Sequence, residues 1–452
     1  MSNYTEKILK LFSWETLTGE NTELFLTSAI IFFTFIPIRH AFIGHLSFYL
    51  GEYSDFTTIS IYLSQIFTIL TVSLLFISKK FQSPALYRIT LFSVLAIVIY
   101  HFLLPQDYRL LSVFIGFSIM VNCLLVYFCV KSNILLKYKD YFLYMLIILG
   151  LGNALLSIIQ FSLQENIGLN LFGESPLSIF TMGVAKFVAH DTLYIRGYGL
   201  FPHPNIFGGL LVIISLLNLY LLTKKKSFLS RGILIFSYSY ILFGILLSFS
   251  RGAILSFIVS TILYIFFIAY HDRTILKKFY FLPILIAVAM IIMHPWFSSR
   301  ATISDTSSNL RNTYNRAGIE IISKNWLLGT GSGTNVLHMK HVLQNKVDYW
   351  EVQPIHNFFL ITISELGLIG VGFIIFLLYT SFRLLKIVLE EIKHRSVDFW
   401  HIALLTVVIA VAMLMMVDHY FYTYVPAQII LSLIISCVYA EVRNNVSRET
   451  QN

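Results

Sequence analysis

Charge is what this chain has least of. Asp, Glu, Lys and Arg make up 12% of its 452 residues and hydrophobic residues 57%, with a mean hydropathy of +0.76. An ordinary soluble domain carries about a quarter of its residues as charges, so that class is excluded and a polytopic membrane protein is indicated. Cysteine is scarcer still, with Cys123, Cys129 and Cys437 all inside apolar runs. With no pair in an outer loop, neither a disulfide framework nor a cysteine metal cluster is expected. No paired-carboxylate motif, Walker lysine or Rossmann strand pattern is present. The first 22 residues are charged and amphipathic, with Ile8, Leu11 and Phe12 on one face, and no small-residue cleavage site follows the first apolar run. A removed signal peptide is therefore not expected.

Long apolar runs are abundant instead. A helix rises 1.5 Å per residue, so a hydrocarbon core of about 30 Å takes roughly 20 residues. Runs bounded by charges predict crossings near 24–38, 57–77, 87–104, 110–130, 141–163, 204–222, 232–249, 252–270, 279–294, 356–382, 399–418 and 423–440. The expected fold is an all-α polytopic membrane protein with about twelve transmembrane helices. With the N-terminus inside, 21 of the 32 Lys and Arg fall on the cytoplasmic side, as the positive-inside rule requires. Six of the others (Arg300, Arg311, Arg316, Lys324, Lys340, Lys346) share one long outer loop, which the rule discounts. The net charge of +9 is mostly this inner-face bias and calls for no nucleic acid. The chain thus divides into a cytoplasmic segment 1–22, nine helices over 23–294 with an outer segment 164–203, an extracytoplasmic loop 295–355, three helices over 356–440 and a cytoplasmic tail 441–452.

Function is sought where the chain departs from lipid-facing helix. Arg251 is the only charged residue between Arg231 and His271. It stands in Ser248-Phe249-Ser250-Arg251-Gly252-Ala253, a polar and small stretch suited to a reversal at the outer surface. The first outer segment ends in Arg196-Gly-Tyr-Gly-Leu200-Phe-Pro202-His203-Pro204-Asn205, where glycines permit unusual backbone angles and prolines forbid a helix. Read structurally, the segment is an interfacial turn that caps the next crossing, with Asn205 as the helix N-cap. In the second, Leu310, Tyr314, Ala317 and Ile321 recur at helical spacing and predict a helix over 309–324. Arg311 and Arg316, about 140° apart on it, cannot both face one ligand, and Arg311 is favoured. Gly329-Thr-Gly331-Ser-Gly333-Thr resembles a phosphate-cradling loop, but nothing of a nucleotide fold accompanies it. His356 and Asn357 open the tenth crossing. On a continuous helix Gly367 returns to within about 20° of the histidine's face, leaving a groove for a lipid tail. Glu365 then faces the other way and requires a polar partner, since a charge in a crossing costs roughly 2.5–3.5 kcal/mol on insertion scales.

Taken in order, Arg196 with Leu200, Phe-Pro-His-Pro-Asn, Ser250-Arg251-Gly252-Ala253, Arg311-x-x-Tyr314-x-x-Ala317, Leu328-Gly329-x-Gly331, and His356-Asn357 with Gly367 resemble the motifs of the O-antigen ligase and polymerase superfamily. The resemblance is dense from Arg196 to Gly372, while the earlier crossings match in number and hydropathy alone. It implies a GT-C-like fold in the cytoplasmic (inner) membrane of a bacterium, with both termini cytoplasmic and the active site extracytoplasmic. It also implies transfer of a glycan from an undecaprenyl diphosphate carrier to an acceptor hydroxyl, with inversion and without metal, nucleotide or other cofactor.

The residues suit that chemistry. Guanidinium forks match diphosphate oxygens and stay charged at any relevant pH, so Arg196, Arg251 and Arg311 would hold the leaving group. His356 would take the acceptor's proton, with the outer acids Asp305, Asp348 and Glu351 as alternatives. His203, Asn205, Tyr314, Arg316, Asn357 and Gly367 would line the substrate site. The acceptor is open between a lipid-A-core sugar (ligase), another carrier-linked glycan (polymerase) and a protein (oligosaccharyltransferase). A flippase or transporter of lipid-linked glycans is the alternative of another class, but such folds usually show an internal repeat and midplane charges, and neither is evident.

Overall fold

The computed structural model describes residues 19–449 apart from 50–51, 104–105, 190, 226, 302–305 and 344–351. Residues 1–18 of the amphipathic N-terminal segment and the acids Asp305, Asp348 and Glu351 lie outside the described residues. The chain is all-α in its bulk. Helices α1 (Glu20–Phe35), α2 (Leu63–Ile77), α3 (Pro84–Leu103), α4 (Gln106–Ser132) and α5 (Lys139–Leu163) precede α6 (Pro204–Lys224), α7 (Phe228–Leu247), α8 (Arg251–His271) and α9 (Phe281–Ala301). Then come α10 (Thr306–Asn325), α11 (Asn335–Leu343), α12 (Phe358–Lys393), α13 (Phe399–Val417) and α14 (Val425–Glu449).

Among the described residues nine helical spans are long and apolar enough to cross a membrane, and Leu63–Ile77 and Pro84–Ile99 are shorter apolar helices. The chain is thus a multi-pass membrane protein. All twelve expected runs contain a helix, but α1, with 16 residues, and α2, with 15, fall short of a full crossing by length.

Two expected boundaries move for a physical reason. Residues 59–62 belong to a strand, β4, that pairs antiparallel with β1 (Arg39–Phe42). An apolar strand running straight into an apolar helix gives no break in hydropathy, so the run 57–77 read as one crossing. A second hairpin pairs β2 (Phe48–Tyr49) with β3 (Glu52–Tyr53), and a third, in the segment 164–203, pairs β5 (Lys186–Ala189) with β6 (Thr192–Ile195). At the other boundary α13 stops at Val417, so Asp418, read as the last residue of a crossing, stands beyond the helix end.

Helix α6 is the centre of the bundle, its apolar window wholly buried. A helix that is apolar all round can be stable only when surrounded, and here α5, α7, α8 and α13 pack against it. Between helices in lipid, close approach of backbones replaces the hydrophobic effect as the source of association. A Cβ on Gly208 would stand 2.5 Å from Ser248 Oγ, and one on Gly209 would stand 2.0 Å from the Tyr420 hydroxyl. The first turn of α6 is therefore pressed directly against the α7–α8 reversal and the turn after α13. The loop 326–334 docks on α12, which is interrupted at Gly367 (φ 54°, ψ −131°). These approaches gather four chain segments at one end of the bundle.

Candidate active site

Three helices begin at that end, each with its own cap. The cap of α6 is His203 and not Asn205: its Nδ1 accepts the Asn205 N–H (3.1 Å), with Pro204 at the first helical position, which leaves the Asn205 side chain to other partners. Ser250 Oγ accepts the Ala253 N–H at the start of α8 (3.3 Å), and Asn357 Oδ1 accepts the Leu360 N–H at the start of α12 (3.0 Å). One side-chain acceptor meets one of the unpaired N–H groups that every helix start presents. A start of this kind also carries partial positive charge.

The hub that joins them is the short segment 416–419. Asn357 Nδ2 donates to Met416 O (3.1 Å), and a Cβ on Gly252 would lie 2.9 Å from Val417. Asp418 accepts from Asn205 Nδ2 (2.9 Å) and from the His419 N–H (2.8 Å). Asn205 turns its oxygen to Arg196, whose Nη2 donates to it at 2.7 Å, while Arg196 Nε donates to Ser248 O at 2.6 Å. Arg196 is 8% exposed, so its guanidinium is held in place by two fixed acceptors, and its charge is matched through Asn205 by the Asp418 carboxylate.

His356 lies on the other side of the hub. Its ring stacks on Tyr314 (centroids 5.4 Å, planes 20° apart) and meets His419 edge to face at 4.9 Å. Its Nδ1 lies 3.0 Å from Pro354 O. A carbonyl only accepts, so Nδ1 carries the proton in this contact and Nε2 of the neutral ring is left with a lone pair. Burial holds this imidazole below its ordinary value, and Arg311 adds to the effect, while Asp418 and the Pro354 carbonyl oppose it. Burial pushes His203 and His419 down to about 3. Burial works the other way on Asp418, but its attraction to His419, His356, His203 and Arg311 wins and holds it at about 2. At neutral pH the described part of the hub thus holds the Asp418 carboxylate among neutral imidazoles, with Arg196 joined to it through Asn205.

The sequence-derived candidates divide clearly. Arg196, His203, Asn205, Tyr314, His356 and Asn357 converge on the hub, and Arg311 acts electrostatically on its acid and all three of its histidines. Arg251 is the exposed first residue of α8, one position from Gly252, which abuts Val417. Arg316 lies on the exposed side of α10, away from the buried stripe of Tyr314, Ala317 and Ile321.

Gly367 differs from expectation. The helix is interrupted there (φ 54°, ψ −131°), so the continuous helical face that would have placed Gly367 below His356 does not exist. A Cβ there would stand 2.4 Å from Leu327 O, and the Leu368 N–H donates to that same oxygen (3.0 Å). Glu365 finds its polar partners in the glycine-rich loop, accepting from the Gly333 and Asn335 N–H groups. The apparent phosphate cradle is occupied by a carboxylate of the chain itself.

Asp418 and His419 were missed by sequence reasoning. One signal was available, since Asp418 is the only Asp, Glu, Lys or Arg between Asp398 and Glu441, the same isolation that singled out Arg251.

Fold and site define a polytopic α-helical membrane protein in which Arg196, the buried Asp418 and the His356 imidazole meet at one end of the helices. Residues 233–376, which include Arg251, Arg311 and His356, match the family model described as O-Antigen ligase. The match spans about a third of the chain, and the family it points to is one of enzymes whose substrates are lipid-linked glycans. No curated protein matches the chain.

Proposed function

We propose that the protein moves a glycan from an undecaprenyl diphosphate carrier to an acceptor hydroxyl at the outer face of a bacterial cytoplasmic membrane. The observation that carries this reading is the His356 ring. It is stacked on Tyr314, bound through Nδ1 to Pro354 O and set against His419, which leaves Nε2 with the lone pair on the hub that also holds Arg196.

The acceptor oxygen attacks the anomeric carbon as His356 Nε2 takes its proton. The bond from that carbon to the diphosphate oxygen breaks, and the diphosphate leaves with the electron pair. Arg196, Arg251 and Arg311 meet the growing negative charge. Fixed positive groups aimed where charge develops are often the largest contribution to such a step. The starts of α6, α8 and α12 add their partial positive charge on the same side. Attack opposite the leaving group inverts the anomeric centre. The inner-face bias of Lys and Arg supports an extracytoplasmic placement of this end, with both termini inside.

The test uses the purified protein in liposomes with a carrier-linked glycan and a set of acceptors. His356→Ala should lower turnover far more than donor affinity. Equal loss of both would make His356 a binding residue and end its assignment as base. A free lipid-A-core sugar, a second carrier-linked glycan and a polypeptide, offered separately, distinguish ligase, polymerase and oligosaccharyltransferase.

A further inference from the structure

Helix α12 breaks at Gly367, and the break frees carbonyls that a continuous helix would have used. The loop after α10 supplies the missing donors: the Thr330 N–H bonds to Ser364 O (2.9 Å) and the Gly331 N–H to Glu365 O (3.0 Å). The Glu365 side chain, 1% exposed, then accepts from the Gly333 N–H and, at 2.7 Å, from the Asn335 N–H at the start of α11. A carboxylate at a helix start is a favourable anion–dipole pair, and here it fixes where Asn335 stands. Asn335 uses both ends of its amide. Its Nδ2 donates to Ser364 Oγ (3.2 Å) and its Oδ1 accepts the Ile355 N–H (3.1 Å).

Ile355 is the residue between Pro354, whose carbonyl sets the His356 tautomer, and His356 itself. It is fully buried beneath Gly318, where a Cβ would come within 2.6 Å of it. We infer that Glu365 and Asn335 form a positioning latch, in which the carboxylate holds the glycine-rich loop and the loop's amide holds the Pro354–His356 backbone, so that Nε2 of His356 is aimed and left unprotonated. Neither residue touches substrate; both act through the histidine. The inference rests on the assignment of His356 as base, so its test must tell the two apart.

The experiment pairs steady-state transfer by the full-length enzyme in nanodiscs with histidine ¹⁵N NMR, the His356 signals being assigned by their loss in His356→Ala. Asn335→Ala should lower kcat roughly 10- to 100-fold with KM little changed, because small misplacement of a reacting group costs that much. It should also turn the His356 signal from a single Nδ1-protonated tautomer into a mixture. Asn335→Asp keeps the acceptor for the Ile355 N–H and should recover most of both. If Asn335→Ala does not fold, Glu365→Gln, which exchanges one acceptor under the loop for a donor, makes the same comparison. An unchanged His356 tautomer in these variants overturns the latch, whatever happens to kcat. A scrambled tautomer with wild-type kcat leaves the latch standing and removes His356 from the chemistry.

Discussion

Asp418→Asn is the perturbation that separates the two halves of the site. The carboxylate uses one oxygen for Asn205 Nδ2 and the other for the His419 N–H. An amide at this position keeps one oxygen and turns an N–H₂ towards the other donor. Asn205 can relieve the clash only by flipping its own amide, and then its N–H₂ faces Arg196 and the 2.7 Å bond that orients the guanidinium is lost. Either way one buried donor is left unmet, at a cost of about 1–3 kcal/mol. If all of that is felt in the transition state, kcat falls about 5- to 160-fold, at 1.36 kcal/mol per tenfold.

Donor affinity should not fall with it, because the substitution also removes a negative charge from the hub. The pH profile supplies an independent reading. A base must be neutral to act, so rate is present above the His356 pKa and lost as pH falls through it. That limb lies below the ordinary histidine value of 6.5, since burial depresses the group. Asp418 opposes the depression, so removing its charge should move the limb lower still. Initial rates of transfer from pH 4 to 8, with donor binding measured in parallel, check both. Wild-type kcat, or a limb that moves to higher pH, refutes this account of the hub.

Arg311→Ala should reduce turnover about 10²- to 10³-fold, as loss of one fixed group facing developing charge does elsewhere, and Arg311→Lys should recover only part because an ammonium lacks the fork. Arg316→Ala, on the exposed side of the same helix, should stay within about twofold of wild type, as surface substitutions usually do; a loss matching that of Arg311→Ala would show that the wrong face of α10 has been assigned. Gly367→Ala places a Cβ 2.4 Å from Leu327 O at a positive φ, a conformation costing about 1–3 kcal/mol for a residue with a side chain, and should lower the thermal unfolding midpoint in detergent. His203→Asn keeps a side-chain acceptor for the Asn205 N–H, so if this histidine is only a helix cap, transfer should survive the change and should fail with His203→Ala.

What could be read from the chain beforehand was whatever rests on one-dimensional contrast. The run 204–222 is bounded by polar residues on both sides, and it became Pro204–Lys224. Arg251 stood out because nothing else near it is charged, and the Tyr314, Ala317 and Ile321 stripe because buried residues on a helix repeat. The reading failed where the contrast disappears or where distant segments meet. Strand β4 passes into α2 without a change of hydropathy, so only its hydrogen bonds to Arg39–Phe42 reveal it.

The groove expected below His356 assumed that 356–367 is one helix. A glycine eleven positions on carries no mark of whether it lies within a helix or breaks one, and the loop 327–331 that decides the matter is some forty residues earlier in the chain. The hub was hidden for the same reason in stronger form. Asp418 and His419 follow α13 by one and two residues and belong to no motif. They matter because Gly208 and Gly209 bring the start of α6 against the α7–α8 reversal and Tyr420, which carries Asn205 to the carboxylate. A catalytic histidine can be recognised by its own neighbours in sequence, but the groups that set its charge and its aim come from whichever helix ends the packing brings to it. Isolation within an apolar run is the mark that Arg251, Asp418 and Glu365 share. In a membrane protein such a lone charge is expensive, so each is worth tracing to the partner that keeps it there.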